Sequence, residues 1–208
     1  MKKIVTILIA CAFMTSLLAQ EVYDQSYTWK NETIEIDLPI LDSITIETWD
    51  SKTVEMHLSV NVNDNKDNEA YQVKFDQTHE RIELSSDFKP RKRNCNEVDV
   101  YCRIKVPKGV DINVNTISGD IASWSGLGAV HYKTISGFID LSLSNKAKAD
   151  IRAKTISGDI YSDLDLEFSG PLKNKIVGAE VDATLNGGGT EIALETISGN
   201  VYLRKNKH

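Results

Sequence analysis

Residues 116–119 read Thr-Ile-Ser-Gly, and the same tetrapeptide returns at 134–137, 155–158 and 196–199. The starts of the four copies lie 18, 21 and 41 residues apart. A degenerate copy, Lys-Ile-Val-Gly at 175–178, divides the longest gap into 20 and 21 residues. Five copies at a spacing near 20 residues indicate a stacked array, in which each repeat buries its apolar face against the next.

The residues on either side of the motif alternate between apolar and polar side chains. Ile112-Asn113-Val114 precedes the first copy, Ile139 to Leu143 follows the second, and Val201-Tyr202-Leu203 follows the last. Alternation with a period of two residues is typical of β-strands, and no window shows the 3.6-residue period of a helix. The sequence therefore predicts an all-β fold, in which residues 111–208 form a β-solenoid, or β-helix-like stack, of about five coils of roughly 20 residues each.

Each residue of the motif has a predicted structural role at a corner between two strands. The glycines suit a corner that needs a positive φ, where a Cβ would be strained; they are Gly119, Gly137, Gly158, Gly178 and Gly199. The isoleucines are expected to align into one continuous apolar column of the stack; they are Ile117, Ile135, Ile156, Ile176 and Ile197. The serine hydroxyls are expected to form a polar ladder at the same corner.

Asp120 and Asp159 directly follow the motif glycine, so a column of carboxylates that binds calcium is one interpretation. The equivalent positions of the other copies hold Phe138, Ala179 and Asn200, which interrupt such a column. Turn formation and stacking are therefore the preferred interpretation. The histidines are scattered and none forms a ligand pair with a cysteine. We predict no metal site and no cofactor.

Residues 33–110 also carry strand patterns, but without the repeat. The run from Val98 to Val106 alternates most regularly, and a Pro-Lys-Gly turn ends it. Strands with one buried and one solvated face suit antiparallel pairing, so this region is expected to precede and cap the coils. The basic residues from Arg204 onwards are expected to stop the stack at its other end. No flexible linker occurs near residue 110, so residues 20–208 are predicted to form a single domain.

Lys2 and Lys3 precede an apolar run that ends at Ala19, which is the pattern of a secretory signal peptide over residues 1–19. A membrane anchor is one alternative, but a run of about 16 residues is shorter than the roughly 20 that a spanning helix needs. A lipoprotein signal with Cys11 as the lipidated residue is another, although the apolar run continues beyond Cys11. We expect an exported protein of the periplasm, the cell surface or the medium, with no transmembrane segment in the mature chain.

Removal of the signal peptide changes the charge and the cysteine count. The 208-residue chain carries a formal charge of -6, and loss of Lys2 and Lys3 makes it -8. Such an acidic chain is not expected to bind nucleic acid through phosphate contacts. Cys95 and Cys102 remain, and an even pair in an exported chain suggests a disulfide. Two free buried thiols are the alternative.

The segment 185–201 combines a glycine-rich turn, a strand and the last Thr-Ile-Ser-Gly motif. Together with Trp49-Asp50 and residues 104–110, this segment resembles bacterial adhesin-like families of unknown function, DUF4097 and DUF2807. The resemblance covers roughly residues 33–203. It implies an exported β-helix-like domain of the kind described as an adhesin or an auto-transporter head, and it brings no catalytic residues with it.

Three classes of function remain open, and the partner is unknown. The first is a non-enzymatic, adhesin-like surface or periplasmic protein that binds a glycan through the outer faces of the stack. The second is an envelope scaffold that binds other envelope proteins, as in stress signalling. The third is a polysaccharide-acting enzyme, which needs convergent carboxylates. The acidic residues here are spread along strands, so no enzyme and no catalytic residue is predicted.

Trp124 is the best candidate for a contact with a partner, with packing at a strand edge as its alternative.

Overall fold

The computed structural model describes residues 20–89, 97–124, 126–170 and 178–206. These residues form seventeen strands and one 3-10 turn at Asn68–Ala70, with no α-helix among them. The strands are β1 (Glu21–Thr28), β2 (Thr33–Asp37), β3 (Ile40–Trp49), β4 (Thr53–Val62), β5 (Tyr71–Gln77), β6 (Arg81–Phe88), β7 (Val98–Pro107), β8 (Ile112–Asn115), β9 (Ser118–Ser123), β10 (Val130–Ser136), β11 (Ile139–Leu143), β12 (Ala149–Ser157), β13 (Ile160–Ser162), β14 (Leu166–Phe168), β15 (Ala179–Leu185), β16 (Thr190–Ser198) and β17 (Val201–Lys205). The predicted all-β class is confirmed. The predicted signal peptide, with Cys11, lies outside the described residues.

The strands belong to one hydrogen-bonded network that consists of two arrays. In array A the strand order is β5-β6-β2-β8-β10-β16-β12-β15-β14. In array B the order is β1-β4-β7-β3-β9-β11-β17-β13. The central pairs are parallel, and antiparallel pairs occur towards the ends. Within residues 33–110 the predicted antiparallel pairing holds for β4 and β5, whereas β2 and β3 pair in parallel because they extend the stack of the repeats.

A strand of array A and the next strand of array B form one rung, and the rungs do not stack in chain order. Their spatial order is β2–β3, β8–β9, β10–β11, β16–β17 and β12–β13. The last rung of the chain therefore lies between two earlier ones, with β17 paired to β11 and β13. The prediction that the basic C-terminus stops the stack is wrong, because β17 lies between β11 and β13, and β15 with β14 ends array A instead.

Alternating side chains of both arrays point into one shared core. Strand β12 shows the pattern, since Ala149, Ile151, Ala153 and Thr155 are buried and the residues between them are exposed. The paired strands keep this register from rung to rung, and the buried aliphatic residues of both arrays form one cluster. Full burial of a large aliphatic side chain contributes about 1.5–3 kcal/mol, so this core supplies the main driving force for stacking. No helix in the described part of the chain is long and apolar enough to cross a membrane.

Two buried polar side chains fix the N-terminal end of the stack. The Tyr71 hydroxyl donates a hydrogen bond to the Ile40 carbonyl at 2.7 Å and accepts one from Ser86. Burial raises the pKa of Tyr71 to about 12. Burial also acts to raise the pKa of Glu32, but hydrogen bonds from nearby backbone groups and from the Gln77 amide outweigh it, so the pKa of Glu32 is lowered overall. Glu32 therefore stays ionised although it is buried.

Candidate functional site

The motif glycines form a column at the corner because the backbones of neighbouring rungs approach closely there. A Cβ added to Gly137 would lie 2.7 Å from the carbonyl carbon of Gly119 and nearer still to its oxygen. The same holds for Gly199 against Gly137 and for Gly158 against Gly199. The prediction of a positive φ holds for Gly119, at +124°, but Gly199 has no positive φ. Close approach is therefore the reason for glycine that these motifs share.

The threonine of each Thr-Ile-Ser-Gly motif is buried, and three of the four link their rung to a neighbouring one, whereas the Thr116 hydroxyl donates to the Ser118 carbonyl of its own motif. The hydroxyl of Thr134 donates to the Gly119 carbonyl at 3.3 Å. Thr196 donates to Gly137 at 3.1 Å, and Thr155 donates to the Gly199 carbonyl at 2.9 Å. These bonds satisfy hydroxyls of residues that are at most 3% exposed. The ladder predicted for the serines is formed by the threonines instead, because the threonines are the motif residues that point inward.

The motif isoleucines do align, but their column lies on the surface. Ile117, Ile135, Ile156 and Ile197 are 41–55% exposed. The adjacent motif serines pair across the rungs, so the isoleucines stand in register in the order 117, 135, 197, 156. Neighbouring strands lie about 4.8 Å apart, which makes the column continuous. We call these four residues the corner ridge; Ile176 lies outside the described residues.

The ridge points outward because the inward side switches within the motif. Thr134 is buried, so Ile135 directly after it faces solvent. The chain then turns through Ser136 and Gly137, and the buried alternation begins again at Ile139. An outward side chain at this position gains no core contact. The hydrophobicity of the ridge is therefore not explained by packing of the core.

Three aromatic side chains pack together on array B, where its strands follow the corner. Phe138 meets Tyr202 edge to face at a centroid distance of 6.1 Å, and Tyr202 stacks on Tyr161 at 5.3 Å. The guanidinium of Arg204 lies 4.8 Å from the centre of the Tyr202 ring and is paired with Asp140 at 2.8 Å. We call Phe138, Tyr161 and Tyr202 the aromatic ladder. Tyr161 is 49% exposed on β13, and within the described part of the chain no strand of array B covers the other face of its ring.

Polar groups surround the aromatic ladder on the side of the corner. The Tyr161 hydroxyl donates to Asp159 at 3.2 Å, and this bond raises the pKa of Tyr161. The Asn200 amide donates to the Tyr202 hydroxyl at 3.1 Å. The side-chain amide oxygen of Asn200 also accepts a hydrogen bond from the backbone N–H of Asp159. The Asp120 carboxylate accepts one from the backbone N–H of Phe138. The residues after the motif glycine thus bind the backbone of the next rung, as the turn interpretation predicts.

Sequence reasoning missed the aromatic ladder, although a signal for it exists. Tyr161 and Tyr202 follow the first apolar residue after the corner, in β13 and β17 respectively. Both positions therefore point outward by parity. Only knowledge of the rung order reveals that the two tyrosines are neighbours, because β13 and β17 are separated by about 40 residues of chain.

The other predicted site residues lie away from the corner ridge. Trp124 is 40% exposed and lines an apolar cleft at the opposite side of the stack. Cys102 is buried on β7 between Ile44 and Leu58, and burial raises the pKa of its thiol to about 12. Cys95 lies outside the described residues, so the disulfide stays a prediction. Gly178 has a φ of +77° and precedes β15, whose antiparallel pairing with β12 departs from the other rungs.

A shallow polar groove of about 840 Å³ lies on the outer face of array A. Glu35 accepts a hydrogen bond from the Asn113 amide at 2.8 Å, and Asp37 accepts one from Asn115 at 3.0 Å. His131 lies further along the same row of outward side chains. Two of the groove's carboxylates are thus already bound to amide groups of the next rung, which suits a structural role for them.

Comparison with known proteins identifies the fold. No protein-family profile matches the chain, and no curated protein matches it. A candidate cell adhesion protein from Clostridium sporogenes has a similar structure, with a TM-score of 0.58 and 9% identity over 90% of this chain and 100% of that one. Candidate adhesins from Bacteroides fragilis (TM-score 0.27, 11% identity, 91% and 99% covered) and Parabacteroides merdae (TM-score 0.25, 10% identity, 90% and 97% covered) align less well. At these identities the likeness concerns the fold alone.

Proposed function

We propose that this chain is a non-enzymatic, exported adhesin-like protein that binds glycans through the corner ridge and the aromatic ladder. In this proposal the rungs constitute a β-solenoid of the DUF4097 type, and the N-terminal signal directs the chain to the cell surface or the periplasm. The observations that carry the proposal are the registered column of four exposed isoleucines and the three aromatic rings that pack together where the strands of array B follow the corner. Large contiguous apolar patches on soluble proteins commonly mark interaction sites.

The chemistry around the aromatic ladder favours a sugar ring as the ligand. Binding sites combine apolar and aromatic surface with a few polar groups that fix orientation. A sugar ring offers an apolar C–H face for the free face of Tyr161, and its hydroxyls can bond to Asp159 or to the ion pair of Arg204 and Asp140. The corner presents these elements on one rigid surface, because each described strand of the rungs other than β13 has a hydrogen-bonded neighbour on both sides.

A catalytic role receives no support from this arrangement. The carboxylate of Asp159 accepts the Tyr161 hydroxyl, and that of Asp140 pairs with Arg204. Glycoside hydrolysis needs a proton donor and a second carboxylate about 5–9.5 Å apart across the scissile bond. Carboxylates already engaged by a hydroxyl or a guanidinium suit orientation of a ligand better than proton transfer. The protein is therefore proposed to bind glycans and not to cleave them.

A glycan array probed with residues 20–208 tests the proposal. We expect the double variant Tyr161→Ala/Tyr202→Ala to lose at least tenfold in affinity for every glycan that the natural chain retains. Tyr101 is the matched control, because it is equally exposed on array B but remote from the ladder; Tyr101→Ala should bind as the natural chain does. Equal binding by the double variant would refute the proposal. If the natural chain binds no glycan on the array but captures envelope proteins in a pull-down, the scaffold function is favoured instead.

A further inference from the structure

An apolar cleft of about 310 Å³ opens on the side of the stack opposite the corner ridge. Its walls are the connections from β9 to β10 and from β11 to β12. Its floor consists of core side chains of both arrays, among them Val130, Leu141 and Ile192. Trp124 and Leu127 stand at the mouth. The cleft is therefore an opening into the hydrophobic core between the two arrays, and it is separate from the proposed glycan site.

Hydrogen bonds hold the first wall of the cleft against the neighbouring rung. The Gly128 N–H donates to the Val110 carbonyl at 2.8 Å, and the Gly109 N–H donates to that of Gly126 at 2.7 Å. The Asp111 carboxylate accepts from the Ala129 N–H at 2.7 Å. A Cβ at Gly128 would lie 2.8 Å from the carbonyl oxygen of Gly109 and nearer still to the Asp111 carboxylate, so only glycine fits at this contact between the rungs.

The second wall is fixed in a similar way. The Asn186 amide donates to the Ala147 carbonyl at 2.7 Å and to that of Asn145 at 3.0 Å. The Thr190 N–H donates to the Lys148 carbonyl at 3.0 Å. Ala147 and Ala149 present only methyl groups to the cleft. Fixed backbone and small side chains therefore line this side of the cleft.

The charge of the cleft is one-sided. Lys146 and Lys148 line it, and no acidic residue is among its described lining residues. The nearby carboxylates of Asp111 and Asp150 accept hydrogen bonds from the backbone N–H groups of Ala129 and Gly189. Neither lysine forms an ion pair with another described residue. The remaining lining is predominantly aliphatic, with an indole at the mouth, where an amphipathic ring is favoured. An apolar interior with a cationic rim on an otherwise acidic chain is complementary to an anionic amphiphile.

We propose that this cleft binds an anionic amphiphile, with its alkyl chain inside and its carboxylate or phosphate on Lys146 and Lys148. The cleft volume lies at the lower end of the range for ligand pockets. A water molecule occupies about 30 Å³ in the liquid, and a methylene group is of similar size, so the cleft has room for roughly ten carbons. The ligand is thus a medium-length alkyl chain, or the end of a longer one.

A chain-length series tests the apolar part of the proposal. Hexanoate, octanoate, decanoate and dodecanoate are titrated into residues 20–208, with calorimetry as the readout and with the fluorescence of a Trp29→Phe/Trp49→Phe variant, in which Trp124 is the remaining tryptophan. Each buried methylene should increase the affinity about fourfold, and the increase should end near ten carbons. Ala147→Leu, which adds volume inside the cleft, should weaken decanoate at least tenfold. An affinity that does not depend on chain length would overturn the proposal.

Charge reversal tests the rim. Lys146→Glu/Lys148→Glu should weaken decanoate at least tenfold and leave uncharged decanol unchanged, whereas Lys74→Glu, on β5 and remote from the cleft, should change neither. The strand signal in circular dichroism checks that each variant is folded. Tighter binding of decyl phosphate than of decanoate identifies a lipid phosphate as the natural headgroup, and the reverse identifies a free carboxylic acid. Unchanged decanoate affinity in the double lysine variant would refute the rim's role and the proposal with it.

Discussion

Gly199→Ala tests whether close backbone approach holds the rungs together. Gly199 has no positive φ, so alanine brings no backbone strain of its own. The new Cβ would lie 2.7 Å from the Gly137 carbonyl carbon and nearer to its oxygen, where ordinary contacts are 3.4–4 Å. The two rungs must therefore separate locally by about 1 Å. That separation also breaks the hydrogen bond from Thr196 to the Gly137 carbonyl, which is 3.1 Å long in the native chain.

The expected loss follows from these two effects. Forcing extra volume into a packed site costs about 1–3 kcal/mol, and a lost buried hydrogen bond costs about 1 kcal/mol. We expect Gly199→Ala to lower the free energy of unfolding by about 2–4 kcal/mol. For a domain of this size the midpoint of thermal unfolding should fall by roughly 10 °C. Urea unfolding followed by tryptophan fluorescence measures the free energy, and calorimetry measures the midpoint.

Substitutions at two further glycines show whether a loss of stability in Gly199→Ala comes from close backbone approach or from backbone strain. Gly170 has no positive φ, and a methyl group added there would have no atom of the described residues within 4 Å apart from its chain neighbours, so Gly170→Ala should stay within about 0.5 kcal/mol of the natural chain. Gly187 has a φ of +81° but also has open space, so Gly187→Ala should cost about 1–2 kcal/mol from strain alone. If Gly199→Ala proves no more costly than Gly170→Ala, the rungs are not held by close approach and the reasoning fails.

Three other substitutions test the remaining parts of the corner and the N-terminal end. Thr155→Val removes the hydroxyl that donates to the Gly199 carbonyl. The variant should lower the free energy of unfolding, measured in urea, by about 1–2 kcal/mol. Ile197→Ala should lower the free energy of unfolding by less than about 1 kcal/mol, because the side chain lies on the surface. Leu194→Ala in the core should lower it by about 2–5 kcal/mol. Equal losses for the two variants would contradict the outward position of the ridge. The pKa of Glu32 is lower in the folded chain than its ordinary value of 4.5, so its carboxylate stabilises the fold above that pH and the benefit is lost as pH falls through the folded pKa. Glu32→Gln should therefore be less stable than the natural chain at pH 7. Urea unfolding at pH 4 and below should show a smaller difference in free energy of unfolding between the variant and the natural chain.

The fold class and the registered repeat can be predicted from the sequence because both depend on local alternation. Strict period-two patterns such as that of β12 require strands, whatever their partners are. Identical motifs favour register, because a shift by one residue would turn every buried side chain outward. The stacking of the motif glycines follows from the same repetition. The alternation is visible within about ten residues of chain, and the repeat needs only a comparison of motifs about 20 residues apart.

The rung order and the candidate site depend on distant contacts and could not be predicted in this way. Ile117 and Ile135 fit an inward column as well as an outward one until the exact residue at which the chain turns is known. The stacking of Tyr161 on Tyr202 requires β17 to lie beside β13, which no local pattern specifies. The cleft at Trp124 likewise depends on β16 lying beside β10, because Thr190 and Ile192 belong to its lining.

The position of the last rung explains why the corner combines rigidity with exposed apolar residues. In a stack built in chain order, the final coil has one neighbour and its loss removes one interface. Here β16 and β17 each have neighbours on both sides, so the C-terminal rung closes the stack between β10–β11 and β12–β13. Its motif bonds to both neighbours, because Thr196 donates to the Gly137 carbonyl on one side and the Gly199 carbonyl accepts from Thr155 on the other. The surface that carries Ile197 and Tyr202 is therefore completed only when the last rung lies between its two neighbours, and hydrogen-bonded strands hold it on both sides. A binding surface at that place is presented in one fixed geometry, which favours recognition of a rigid ligand such as a sugar ring over an adaptable contact.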